Sequence, residues 1–185
     1  MSATAHPLSA IGKVNTYSTA TDSAVIAELA AAQEAAARFE AFSDAVAWEV
    51  GTTIRETFVA THPAASCVIH IELFNGAVLF STAIGTAPAV GPDNWAWVRG
   101  KTNVVRKFGT SSLRKGREIA ARGATPEQKG LGFPEFACHG GGFPIWLHNN
   151  PVAPIGVIVV SGLPELDDHQ LIVDSLVKAQ HLLHQ

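Results

Sequence analysis

Cysteine is scarce in this chain: 185 residues contain two, Cys67 and Cys138, far apart in sequence. Neither has a second cysteine at metal-clip spacing, so no zinc clip or disulfide framework is expected, and the chain reads as reduced and cytoplasmic. No apolar run reaches the roughly 18 residues of a transmembrane helix, and MSATAHPLSAIGKVNTYSTATD lacks the continuous apolar core of a signal peptide. Runs of five or more basic residues are also missing, and 13 Lys and Arg against 16 Asp and Glu leave a formal charge of −3. Neither a nucleic-acid footprint nor a membrane partner is expected. No internal repeat occurs.

Hydrophobic residues make up 47% of the chain, which at this length fits one domain with a real core. Residues 1–22 are rich in Ser, Thr and Ala without a period, and suggest an arm laid on a neighbouring subunit. Residues 23–185 form the single domain. SAVIAELAAAQEAAARFEAF predicts an amphipathic helix with Val25, Leu29, Ala32, Ala36 and Phe39 along one side. SDAVAWEVGTTIRETFVATH predicts a second helix, with Ser43 or Asp44 as its N-cap. CVIHIELF, the turn pair Asn75-Gly76 and AVLFSTAI predict a β-hairpin, with Cys67, Ile69, Ile71 and Leu73 on one face and Val68, His70, Glu72 and Phe74 on the other.

Two further helices follow, DNWAWVRGKTNVVRKFG and TSSLRKGREIAARG, the second capped by Thr110 or Ser111. FPIWL and APIGVIVVSGL are strands. The last helix carries Asp167 and Gln170 at capping-box spacing, then Ile172, Val173, Leu176, Ala179 and Leu183 as a core stripe. This order is α+β, with four or five strands in a largely antiparallel sheet.

Several catalytic signatures fail. RGKT at 99–102 lacks the glycine five positions before Gly100, where Trp95 stands, and it sits in a helical pattern. The His70-Ile-Glu72 pattern of zinc deaminases has no CxxC to complete it. GTSSL at 109–113 lacks the second glycine of a nucleophile elbow.

Three stretches at element ends remain. In the first, Gly85-Thr86 ends a strand, and Pro92-Asp93-Asn94 opens a helix whose free N–H groups and dipole favour an anion. Trp97 and Lys101 lie further along it, and a lysine on a mostly apolar face is costly unless matched. The second is HGGGFPIWL. Three consecutive glycines exceed what one bulge requires, and predict that Gly140, Gly141 and Gly142 bare their amides as an anion nest. His139 then stands at the rim as acid, base or axial metal ligand. The third is VSGLPELDDHQ, with Asp167 as a helix cap and Asp168-His169 as a hydrogen-bonded pair.

Together, GTAP…DNWAW…K, GGGFPI and GVIVVSGL…DDH resemble the haem-degrading-domain family. Within it they resemble a domain-of-unknown-function branch with an N-terminal helical extension, whose relatives include glycolate-operon accessory and propanediol-utilisation proteins. The resemblance covers about residues 25 to 180. It implies a profilin-like or PAS-like fold of α/β/α layers around a five-stranded antiparallel sheet, assembled as homodimers and larger homo-oligomers. It carries a role beside the pocket to Gly140, Gly141, Gly142, Phe143 and Pro144, to Gly85, Thr86, Asn94, Trp97 and Lys101, and to Ser161, Gly162 and His169. Some members bind haem. With no CxxCH attachment site, His139 is the first choice of iron ligand, followed by His70 and His169.

The leading expectation is therefore a homo-oligomeric binding protein for a small anionic molecule, haem included, served by the basic run from Arg99 to Arg117. The first alternative is an enzyme acting on a small organic acid through Lys101 and His139; a lysine locked in a salt bridge would count against it. The second is an assembly or adaptor protein with a vestigial pocket.

Overall fold

The computed structural model describes residues 6–14, 22–85 and 89–184. The elements are α1 (Ser23–Ala36), β1 (Arg38–Phe39), α2 (Asp44–Thr61), β2 (Cys67–Leu73), β3 (Val78–Ile84), α3 (Pro92–Phe108), α4 (Ser112–Ala120), β4 (Gly142–Leu147), β5 (Gly156–Ser161) and α5 (Glu165–Lys178). The strands form one sheet in the order β1-β4-β5-β2-β3. β1 runs parallel to β4, and the other pairings are antiparallel. The mixed α+β class is as the sequence predicts.

Alternation along β2 sorts the layers. Cys67, Ile69 and Ile71 join Phe143, Ile145, Ile158 and Val160 beneath Ile54 and Phe58 of α2 and Ile172 and Leu176 of α5. On the opposite face Val68, Val157 and Val159 meet Val98 and Val105 of α3. The hairpin turn forms as its residues require: Gly76 has φ +97°, and the Asn75 side chain accepts the Ala77 N–H at 3.0 Å. The predicted stripe is buried from Ile172 to Leu183, although α5 ends at Lys178 and leaves Ala179 and Leu183 beyond the helix. Among the described residues, no helix is long and apolar enough to cross a membrane.

Three expectations need correction. The inward face of α1 is Ile26, Ala27, Ala30, Gln33 and Glu34, while Val25 is 45% exposed. An alanine-rich helix offers little apolar contrast, so two buried polar residues decide which face turns inward. The helix also ends at Ala36, and Phe39 belongs to β1, which bridges β4 and Leu183. Finally, residues 6–14 of the arm pack on their own chain. Leu8 joins the main core, Val14 is fully buried, and the Val14 N–H donates to Gln170 Oε1 at 2.8 Å.

Candidate functional site

The middle and last blocks of the sequence meet at one end of the sheet. Asn94, Trp97 and Lys101 of α3, His139 before β4, and Ser161 to Leu163, Glu165 and Asp168 around the start of α5 line a cleft of about 260 Å³. Asn94 is placed by its own helix start, where its Oδ1 accepts the Gly91 N–H at 3.0 Å.

Lys101 is the electrostatic centre. It is 2% exposed, and its Nζ donates to Asp168 Oδ2 at 2.9 Å and to Val160 O at 2.8 Å. Asp168, also 2% exposed, further accepts the N–H groups of Leu163 at 2.9 Å and Gly162 at 3.4 Å. A buried carboxylate with an ammonium and two amides around it is matched rather than stranded. Asp168 thus holds the β5–α5 turn, a role expected of Asp167, and does not pair with His169.

The glycines owe their size to the chain packed against them. A Cβ on Gly141, whose φ is +107°, would run into Val160 O and lie 2.7 Å from Lys101 Nζ. One on Gly140 would strike Glu165 O, and one on Gly142 would lie 2.9 Å from Ser112 Oγ. Nor are the outer amides bare: Gly142 donates to Ser112 Oγ at 2.9 Å and Gly140 to Glu165 Oε2 at 3.4 Å. The expected nest is corrected. The missing side chains admit the protein's own atoms, and the cleft lies in front of the Lys101–Asp168 pair.

His169 lies behind the site. It is fully buried, packs 5.6 Å from the Phe143 ring, and shares a 3.0 Å hydrogen bond through Nε2 with Gln33 Oε1. Burial, helped by the nearby Lys101 charge, pulls its pKa down to about 3. It faces no ligand. Phe143 and Pro144 are buried in β4, Gly85 follows β3 outside the cleft lining, and Thr86 falls outside the described residues. His70, on the α3 side of the sheet, has both ring nitrogens engaged, by Ser81 Oγ at 3.1 Å and Glu72 Oε2 at 3.0 Å.

His139, by contrast, is exposed at the rim. Its ring meets Trp97 edge-on at 5.0 Å, and Trp97 in turn lies 4.4 Å from the exposed Phe133. Thiolate chemistry has no support, since burial pushes Cys67 to about 12 and Cys138 to about 11. Sequence reasoning overlooked Glu34. Its Oε1 accepts the Ser111 N–H at the start of α4 at 2.8 Å, and its Oε2 accepts from Arg114 at 3.2 Å. Arg117 pairs with Glu165 beside the cleft. Much of the predicted basic run is therefore engaged by the protein's own carboxylates.

Residues 42–176 match the family model described as "Haem degrading protein HbpS-like". A UPF0303 protein of Acidobacterium capsulatum is 41% identical over 149 residues, 80% of this chain and 86% of that one. Another from Rhizobium leguminosarum bv. trifolii is 38% identical over 146 residues, 79% and 84% of the two. Among solved structures, the Ybr137w protein superposes with a TM-score of 0.74 at 29% identity, covering 84% of this chain and 87% of that one. HbpS superposes with 0.55 at 18% identity over 77% and 91%, a likeness of fold. The glycine block, the α3 lysine and the β5–α5 turn thus sit in a chain that belongs to the HbpS-like haem-degrading protein family.

Proposed function

We propose that this protein binds a small acid-bearing molecule in the cleft between α3, His139 and the start of α5. The observation that carries this reading is an excess of donors. Lys101 uses two of its three N–H groups on Asp168 and Val160, while Trp97, His139 and Ser161 have no side-chain hydrogen bond among the described residues. Such a wall suits carbonyl or carboxylate oxygens. At about 260 Å³ the cleft falls just below the roughly 300–1,000 Å³ of drug-sized pockets, which favours a ligand of few atoms. Because Lys101 is locked to Asp168, proton transfer by this lysine is disfavoured, and binding is preferred over catalysis.

Haem is the second reading. The ledge of His139, Trp97 and Phe133 supports it, since an exposed imidazole beside two aromatic rings suits an iron macrocycle resting on the rim. Bound there, haem would supply iron redox chemistry, with His139 as its protein ligand and the two rings excluding water from one side.

Self-association completes the reading. Among the described residues β3 is an outer strand with one unpaired edge, and Val78 on it and Trp48 beside Leu79 are 54% and 65% exposed.

Calorimetric titration with acetate, oxalate and citrate, and absorbance titration with haemin, test the two ligands. Saturable binding of an acid that weakens in Ser161→Ala and His139→Ala supports the first. A Soret band lost in His139→Ala supports the second. Neither response from intact protein overturns both. Sedimentation of the protein and of Trp48→Asp tests the assembly: a species larger than one chain that dissociates in the variant is expected, and a single chain throughout overturns it.

A further inference from the structure

We propose that Glu40, His148 and His184 form a site for a borderline divalent cation such as zinc(II), on the sheet edge away from the cleft. One carboxylate oxygen and one imidazole nitrogen from each ring all lie within 4.8 Å of one another.

Strand register builds the cluster. Phe39 pairs in parallel with Leu147 and bridges Leu183 in the antiparallel sense. Phe39 and Leu183 are buried and Leu147 packs against the same core. Side chains alternate across a sheet, so the next residue along each of the three segments turns to the opposite face. Those residues are Glu40, His148 and His184.

The main chain holds each one in place. His148 N–H donates to Phe39 O at 3.0 Å, Glu40 N–H to Leu182 O at 3.3 Å, and His184 N–H to Arg38 O at 2.8 Å. His6 adds a further tie, with its Nε2 3.0 Å from His184 O. Three potential ligands thus stand on three hydrogen-bonded segments, and only side-chain rotation is needed to close on an ion. Zinc–nitrogen bonds of about 2.0–2.1 Å place tetrahedral ligand atoms about 3.4 Å apart, within reach of this spacing.

The donor set chooses the metal. Two imidazoles and a carboxylate match zinc, nickel or copper, whereas magnesium and calcium require oxygen shells. His184 Nδ1 sits 2.7 Å from Glu40 Oε2, and the His148 and His184 rings stack at 3.6 Å. The side chains of His184 and Glu40 are 44% and 63% exposed, so an ion enters from solvent and water fills the open positions. Bound metal would clip the C-terminal segment to the two-residue β1 and to the end of β4, and raise stability by mass action.

The test is calorimetric titration of the tag-free, chelator-treated full chain with zinc chloride, with thermal unfolding alongside. A single saturable zinc per chain and a rise in Tm are expected, with magnesium producing neither. Both responses should vanish in the His148→Ala, His184→Ala double variant and weaken in Glu40→Gln. The side chains are exposed, so metal-free variants should keep the parent's far-ultraviolet spectrum; Glu40→Gln, of unchanged shape, serves if the double variant unfolds. Absence of saturable zinc binding by the parent chain overturns the site. Binding undiminished in the variants overturns it equally.

Discussion

Lys101 Nζ lies 2.9 Å from Asp168 Oδ2, with both side chains almost wholly out of solvent, and this contact joins the middle of α3 to the first turn of α5 across the end of β5. Truncating one partner leaves the other charged and unmatched. Lys101→Met and Asp168→Leu should each cost about 3–5 kcal/mol in urea unfolding. The double change to Met and Leu should cost less than the two single costs added, because no orphan charge is left. It should not be neutral, since the amides of Gly162 and Leu163 lose their acceptor. Additive single costs would show that the two side chains do not interact.

Gly141 and Gly76 both hold positive φ, +107° and +97°, but their surroundings differ. A methyl group on Gly76 meets nothing within 4 Å, so Gly76→Ala should cost only the backbone penalty of about 1–2 kcal/mol. On Gly141 the same methyl meets Val160 O, Lys101 Nζ and Asp168 Cβ. Gly141→Ala should therefore destabilise by clearly more, and should weaken ligand binding because Lys101 must move. Equal costs at the two positions would remove close approach as the reason for the glycine.

Legibility in the sequence followed the range of the interaction. The hairpin was readable because Asn75-Gly76 and the alternation of Cys67 to Phe74 are local signals, and the α5 stripe because one face repeats over several turns. Asn94, Trp97, Lys101, His139 and Ser161 could be selected from the stretches that begin or finish at element ends, and they do line one cleft. The partner of Lys101 was not legible, since it lies 67 residues away and next to the expected cap. β1 escaped because two residues carry no period. Glu40, His148 and His184 are gathered by a parallel pairing and a bridge that leave no local trace.

Glu34 makes a prediction about α4. Burial raises its carboxyl above the ordinary range, while the Ser111 amide and the Arg114 guanidinium pull it back. Glu34→Ala removes the acceptor for a buried N–H at the start of α4, and should cost about 1–3 kcal/mol. Amide hydrogen exchange should report the loss at Ser111 before the core strands respond. Unchanged protection there would mean that Glu34 does not anchor the helix.

His169 sets the acid limb of stability. Its pKa is about 3 in the folded chain and about 6.5 in an unfolded one. The unfolded state therefore binds a proton that the folded state refuses throughout that interval, and stability rises with pH across it by up to about 1.4 kcal/mol per unit. The contribution is complete above about pH 6.5 and is lost progressively as pH falls toward 3. Asp168 and Glu34, raised by burial, act in the opposite sense, losing their contribution as pH rises through their elevated pKa values. Both remain in His169→Gln, so comparing the two proteins isolates the imidazole. Urea midpoints measured from pH 6.5 down to 4.5 should fall more steeply in the parent than in His169→Gln, which keeps an amide able to meet Gln33 Oε1. Parallel curves would mean that this ring, despite its burial, takes up its proton without cost.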